Sequence, residues 1–151
     1  MKKCRHDAVV YRQVKIDGEK CLQGVCGRVL DLTVTVQPTG ELYHAFRLHI
    51  ASGEKFTTVI LYRPEHNTIL VDRSNSGFIP EHRKIREFPV RDQGGELKLR
   101  ILLDRCSMEL FVNDGEQAAT FTLYTPQAAT GISFSADGRL LIDVEQYRLG
   151  L

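Results

Sequence analysis

Leu97, Leu99, Ile101 and Leu103 alternate with Lys98 and Arg100, so an extended segment here carries one apolar and one mostly polar face. After Asp104-Arg105-Cys106-Ser107 the alternation resumes as Met108, Leu110 and Val112, with Glu109 on the opposite side. It returns once more as Ala119, Phe121 and Leu123 against Thr120, Thr122 and Tyr124. A period of two is strand spacing, not the 3.6 of a helix. Between the second and third segments, Asn113-Asp114-Gly115-Glu116 supplies residues that tolerate the positive φ of a tight turn. The pattern predicts three consecutive antiparallel strands.

The same reading extends over the rest of the chain. Met1 to Asp7 is polar and expected to fray, and Val9, Tyr11, Val14 and Ile16 suggest a first strand ended by Asp17-Gly18. Cys21 to Arg28 is punctuated by glycine and predicts no definite element. Leu30, Leu32, Val34 and Val36 form an alternating strand that stops at Pro38, which cannot donate to a ladder. Further strands are expected over Tyr43 to Ile50, Phe56 to Tyr62, Thr68 to Asp72 and Lys84 to Val90. Arg73 to Arg83 reads as a long irregular loop whose Phe78 and Ile79 tuck onto the sheet. Gly131 to Ser135 is another strand, Ala136-Asp137-Gly138 a hairpin signal, and Leu140 to Leu149 the last strand. Leu140, Ile142 and Val144 share a parity that Tyr147 and Leu149 break, which predicts a bulge or a change of sheet near Glu145-Gln146.

No helical period longer than about two turns emerges, and short strands with glycine turns predict an all-β, two-sheet antiparallel β-sandwich. At 151 residues the chain is expected to form a single domain, 1–151, with 1–7 frayed.

Composition narrows the function. The chain is 42% hydrophobic and 26% charged with a net charge of +1. Its basic residues are spread out, whereas a nucleic-acid binder shows a basic stripe with interleaved aromatics. No apolar run approaches the ~20 residues of a membrane span, and no signal-peptide core opens the chain. These features lead us to expect no nucleic acid, no membrane and a cytoplasmic location. Cys4, Cys21, Cys26 and Cys106 are irregularly spaced and read as free thiols. His6, His44, His49, His66 and His82 have no metal-ligand cadence with them. No metal and no cofactor are expected.

The run Asp104-Arg105-Cys106-Ser107-x-Glu109-x-Phe111-x-Asn113-x-Gly115, followed by a threonine-rich strand and Tyr124-Thr125-Pro126, resembles the C-terminal β-sandwich signature of glycoside hydrolase family 32. That family comprises invertase-like and sucrose-6-phosphate hydrolase-like β-fructosidases. Cys106 replaces a family serine and Thr125 is inserted before Pro126. Asp72-Arg73-Ser74, Ser76-Gly77, Gly131-Ile132 and Val144 to Leu149 extend the resemblance. It implies a jelly-roll of the concanavalin A-like lectin/glucanase type. The family hydrolyses β-fructosides with retention, using an Asp nucleophile and a Glu acid/base about 5 Å apart. These groups sit on a five-bladed propeller whose Trp-Met-Asn-Asp-Pro-Asn-Gly, Arg-Asp-Pro and Glu-Cys motifs have no counterpart here. The chain has no Trp, Arg91-Asp92 precedes Gln93, and no Cys follows a Glu. The catalytic propeller is therefore absent from this sequence and no catalytic residue is carried over.

The resemblance implies a non-catalytic module that stabilises or docks onto a catalytic propeller, as domain or subunit, and that can contribute to a homo-oligomer. The alternative is a stand-alone carbohydrate-binding, lectin-like module, with Tyr43, Tyr62 and Tyr124 as candidate sugar contacts; aromatics at strand ends also cover sheet edges. Asp104, Arg105 and Glu109 read as a corner ion pair or capped turn, with sugar binding as the other reading. His44 and His49, of opposite parity, are not expected to share a site.

Overall fold

The computed structural model describes residues 4–77 and 84–150, with side chains from residue 7 onward. Phe78 and Ile79, expected to tuck onto the sheet, lie outside the described residues. Among the described residues ten strands run in chain order: β1 (Cys4–Lys20), β2 (Leu30–Pro38), β3 (Ala45–Ser52), β4 (Thr57–Arg63), β5 (Thr68–Asn75), β6 (Ile85–Pro89), β7 (Leu97–Leu103), β8 (Ser107–Val112), β9 (Gln117–Thr122) and β10 (Gly131–Gly150). Among the described residues the one helical element is a 3₁₀ turn, Asn113–Gly115, and no helix is long and apolar enough to cross a membrane.

The two-layer antiparallel sandwich is built on a ribbon of β1 and β10. Gly131 to Asp137 of β10 pair with β3, from which β4, β5 and β6 follow outward. Leu140 to Arg148 pair with β2, from which β7, β8 and β9 follow. One long strand thus serves both layers. The apolar faces enclose one core, with Leu32, Val34, Phe46, Leu48, Leu99, Ile101, Leu110 and Phe134 fully buried.

Two expectations are corrected. Ala136-Asp137-Gly138 is not a hairpin: the residues on either side pair with β3 and β2, not with each other. The chain bends there, and the β1 register passes from Asp17 opposite Arg139 to Gly18 opposite Ala136. The predicted irregularity near Glu145-Gln146 is likewise not in β10, whose register with β2 is unbroken from Leu140 to Arg148. Ile132, Phe134, Leu140, Ile142, Val144 and Gln146 all point inward, so the parity holds. Gln146 fills the last inward position because its Nε2 can donate to the Gly24 carbonyl at 3.0 Å. The irregularities fall on the opposing β1, between His6 and Val9 and between Tyr11 and Val14. Asp7 and Gln13 have positive φ there, 55° and 52°; such bulges twist an edge strand away from stray pairing. The backbone from Cys4 to His6 pairs with Gly150 to Arg148.

Elsewhere the local chemistry explains the boundaries. β2 ends at Pro38, and Pro89 closes β6, an edge strand where a missing donor is tolerated. The three strands expected between Leu97 and Tyr124 are β7, β8 and β9, with Leu99 opposite Val112 and Val112 opposite Gln117. The segment 21–28 covers one end of the sandwich, with Leu22 and Val25 buried. Cys26 bridges to Gly131.

Candidate functional site

The family-like residues lie on two turns and the strand between them. At the first turn, the Asp104 amide donates to the Ser107 carbonyl at 2.9 Å. The Asp104 carboxylate accepts from the Arg105 amide at 2.7 Å. The Cys106 carbonyl takes the Leu123 amide at 2.8 Å, which ties the corner to the chain leaving β9.

Beneath this corner lies Arg28, 5% exposed, in the segment for which the sequence predicted no element. Its guanidinium donates to the carbonyls of Arg105 at 2.7 Å and Pro126 at 2.6 Å, with longer contacts of 3.4 Å to the Thr125 carbonyl. Gln127 Nε2 also donates to the Arg105 carbonyl, at 2.8 Å. Burial pulls the Arg28 pKa below its ordinary value, while the nearby Cys106 thiol pulls the other way. Arg28 Nε has no hydrogen-bond partner. A glycine-rich loop gives no periodic signal, so sequence reasoning missed this residue.

At the second turn Asn113, Asp114 and Gly115 take φ of 49°, 59° and 102°, the left-handed conformations that Asn, Asp and Gly tolerate best. Asn113 Oδ1 accepts from the Lys98 amide at 3.0 Å, and Asn113 Nδ2 donates to Glu116 at 3.1 Å. Lys98 Nζ reaches Asp114 at 2.7 Å. Between the turns, Glu109 and Phe111 point to the outer face of β8, opposite Thr120 and Ala118 of β9.

The candidate sugar-contacting tyrosines are not brought together on a surface. Tyr43 and Tyr62 are each 1% exposed, with ring centroids 6.3 Å apart, and belong to the core. The Tyr43 hydroxyl donates to the Gly95 carbonyl at 2.6 Å, and burial raises its pKa well above the ordinary value. Burial also raises that of Tyr62, with smaller contributions from Asp92 and Glu116. Neither ring face is open to a ligand, which corrects the expectation for these two. Tyr124 is 37% exposed.

The other polar candidates are separated as well. His44 Nδ1 lies 2.8 Å from Glu65 on the surface. His49 is half-buried on β3; desolvation lowers its pKa, with Glu19 raising it and Arg47 lowering it further. Cys21, Cys26 and Cys106 are free thiols. Among the described residues no three His, Cys, Asp or Glu side chains are grouped as a metal site would require.

On the outer face of the second layer, carboxylates sit beside cations. Arg100 donates to the buried Asp31 at 3.1 and 2.9 Å, and this bond raises the guanidinium pKa. Arg12 donates to Glu145 at 2.8 Å. This is the geometry of charge pairing, not of two carboxyls opposed across a scissile bond.

The sequence profile described as glycosyl hydrolases family 32 C terminal matches residues 1–148. A levanase of Bacillus sp. (strain L7) is 32% identical over 127 residues, covering 80% of this chain and 14% of that protein. A sucrose-6-phosphate hydrolase of Staphylococcus xylosus is 32% identical over 124 residues, covering 82% of this chain and 25% of that protein. The chain therefore spans a quarter or less of the length of these relatives. Among solved structures, the sucrose-6-phosphate hydrolase from Lactobacillus gasseri superposes with a TM-score of 0.79 at 22% identity, over 97% of this chain and 28% of that one. The exo-inulinase from Aspergillus awamori gives 0.78 at 18% identity, over 97% and 29%. Similarity at these identities speaks for the sandwich alone, but the profile follows the sequence almost from end to end. The chain belongs to glycosyl hydrolase family 32, to the C-terminal domain of that family.

Proposed function

We propose that this chain is a non-catalytic accessory sandwich that stabilises, and packs against, the catalytic propeller of a β-fructoside-hydrolysing enzyme, as a domain or a subunit. The observation that carries this reading is the C-terminal family match over residues 1–148, together with the 14% and 25% of the levanase and the sucrose-6-phosphate hydrolase that the chain covers. The larger remainder of such relatives is where the hydrolytic carboxyls belong. The substrate of the whole enzyme is then sucrose, sucrose 6-phosphate or a fructan. The free thiols fit a reducing compartment, hence the cytoplasm.

The purified chain, incubated with sucrose, sucrose 6-phosphate and levan, is expected to release no fructose. Turnover at even about 1 s⁻¹, the low end for enzymes, would overturn the reading. A positive test replaces the matching region of the Staphylococcus xylosus hydrolase with this chain. The chimera is expected to stay soluble and active, and an inactive aggregate would count against the accessory role.

A further inference from the structure

The outer face of the second layer carries a trough lined by charged side chains. Its form follows from the strand register. Glu145 of β10 lies opposite Thr33 of β2, Thr33 opposite Arg100 of β7, and Arg100 opposite Phe111 of β8. One row along, Asp143 lies opposite Thr35 and Thr35 opposite Lys98. Short threonines on the central strand are therefore flanked by long charged side chains on both neighbours. The result is a cavity of about 610 Å³ floored by Thr33 and Thr35, within the range of small-ligand sites. It adjoins a further space of about 190 Å³ lined by Thr35, Gln37 and Lys98 among others.

The charged side chains nearest the floor differ in sign on the two walls, and the walls do not close on each other. Lys98 and Arg100 stand on β7, Asp143 and Glu145 on β10, two strand spacings or about 9.5 Å apart. Each wall satisfies its charges sideways. Lys98 bonds Asp114, Arg100 bonds Asp31, the Gln13 amide donates to Asp143 at 2.7 Å, and Arg12 donates to Glu145. Capacity is left over on both sides. Arg100 spends Nε and one terminal nitrogen on Asp31, out of five N–H donors, and a carboxylate has roughly four acceptor sites. At one end Leu102 and Phe111, both half-buried, add an apolar shoulder.

We propose that this trough binds a neutral oligosaccharide. Sugar hydroxyls donate and accept at once, which matches a donor wall, an acceptor wall and a floor of threonine hydroxyls. The apolar C–H face of a sugar ring matches Phe111 and Leu102. The lining cations Arg12, Lys98 and Arg100 are matched by Asp114, Asp143 and Glu145, so no net charge draws an ion and the ligand is uncharged. The length from Thr33 to Gln37, about 13 Å at strand rise, takes more than one ring. This site is separate from the tyrosines expected from the sequence, and its argument does not depend on the accessory role. Only the choice of fructans among the probes rests on that role.

The test is a titration of the ¹⁵N-labelled full chain with inulin-type, levan-type, malto-, cello- and xylo-oligosaccharides of three to five units. At least one series is expected to give saturable amide shifts centred on Thr33, Thr35, Arg100 and Glu145. Thr33→Arg fills the trough from an outward position and is expected to weaken that binding at least tenfold. Thr35→Lys serves the same purpose if the first variant does not fold. No saturable shift with any series, shifts confined to other surfaces, or wild-type affinity in a folded trough-filling variant would each overturn the proposal. Binding of a non-fructan alone supports the trough while counting against a β-fructoside parent. An active chimera whose isolated sandwich binds no sugar overturns the trough and leaves the accessory role standing.

Discussion

Arg28 and Arg105, 77 positions apart, are joined by a hydrogen bond of 2.7 Å from a buried guanidinium to a main-chain carbonyl. The same side chain holds the Pro126 carbonyl at 2.6 Å. The planar fork of an arginine can bond two loops at once, which neither a lysine nor an apolar side chain does.

Arg28→Met removes the bonds from the guanidinium, while Gln127 Nε2 and the Ala129 amide still donate to the Arg105 and Pro126 carbonyls; the loss is that of hydrogen bonds to a charged group, about 1.5–3 kcal/mol. The variant is expected to lose about 2 kcal/mol in urea unfolding. Arg28→Lys keeps the charge but not the fork and is expected to recover only part of the loss. Wild-type stability in Arg28→Met would show that the loops hold their positions without it.

Gly138 sits where β10 passes between layers, at φ 106°, and a Cβ built there lies 3.0 Å from the Tyr43 Cα. Both the backbone conformation and the space exclude a side chain. Gly138→Ala is expected to cost about 1–3 kcal/mol, the usual range for a strained non-glycine backbone. A calorimetric melting temperature for the purified variant checks it.

Tyr43→Phe removes one hydroxyl and leaves the Gly95 carbonyl, bonded at 2.6 Å, without its partner. The ring and its packing on Tyr62 stay, so the expected loss is about 1–2 kcal/mol. A chemical-denaturation midpoint that does not move would remove this bond from the account of the core.

His49 supplies a pH dependence whose sign is fixed by burial. Its folded pKa is lowered from the ordinary 6.5 by desolvation, so the unfolded chain takes up the proton first as pH falls. Stability from this group is complete above pH 6.5 and is lost as pH falls from there through the lower folded pKa. His49→Gln is expected to unfold less steeply with acid than the wild type across that window. Parallel curves for the two proteins at pH 7.5, 6.5 and 5.5 would contradict this.

Much of the fold was legible because strand alternation is local. The inward set of β7 and β8, and the Asn113-Asp114-Gly115 turn, follow from residues a few positions apart. The shift of apolar residues to the other parity after Val144 was visible too, but the strand itself keeps its parity. A buried Gln is polar in sequence and inward in space only because the Gly24 carbonyl waits for it. Tyr43 and Tyr62 misled for the converse reason: an aromatic with a hydroxyl suits a sugar or a core, and only burial decides between them. The threonines of β2 read as the solvated half of an alternation. They become the floor of a trough only when β7 and β10 stand on either side.

The order of apolar and polar residues by itself determined that this chain is all strand, which faces turn inward, and which family signature it carries. Tertiary structure alone decided that β10 joins both layers, that Arg28 pins the signature turn from below, and that opposite charges line a common trough. Alternation constrains each strand along its own length, whereas the neighbours of a strand are chosen by hydrogen bonds and burial between residues far apart in the chain.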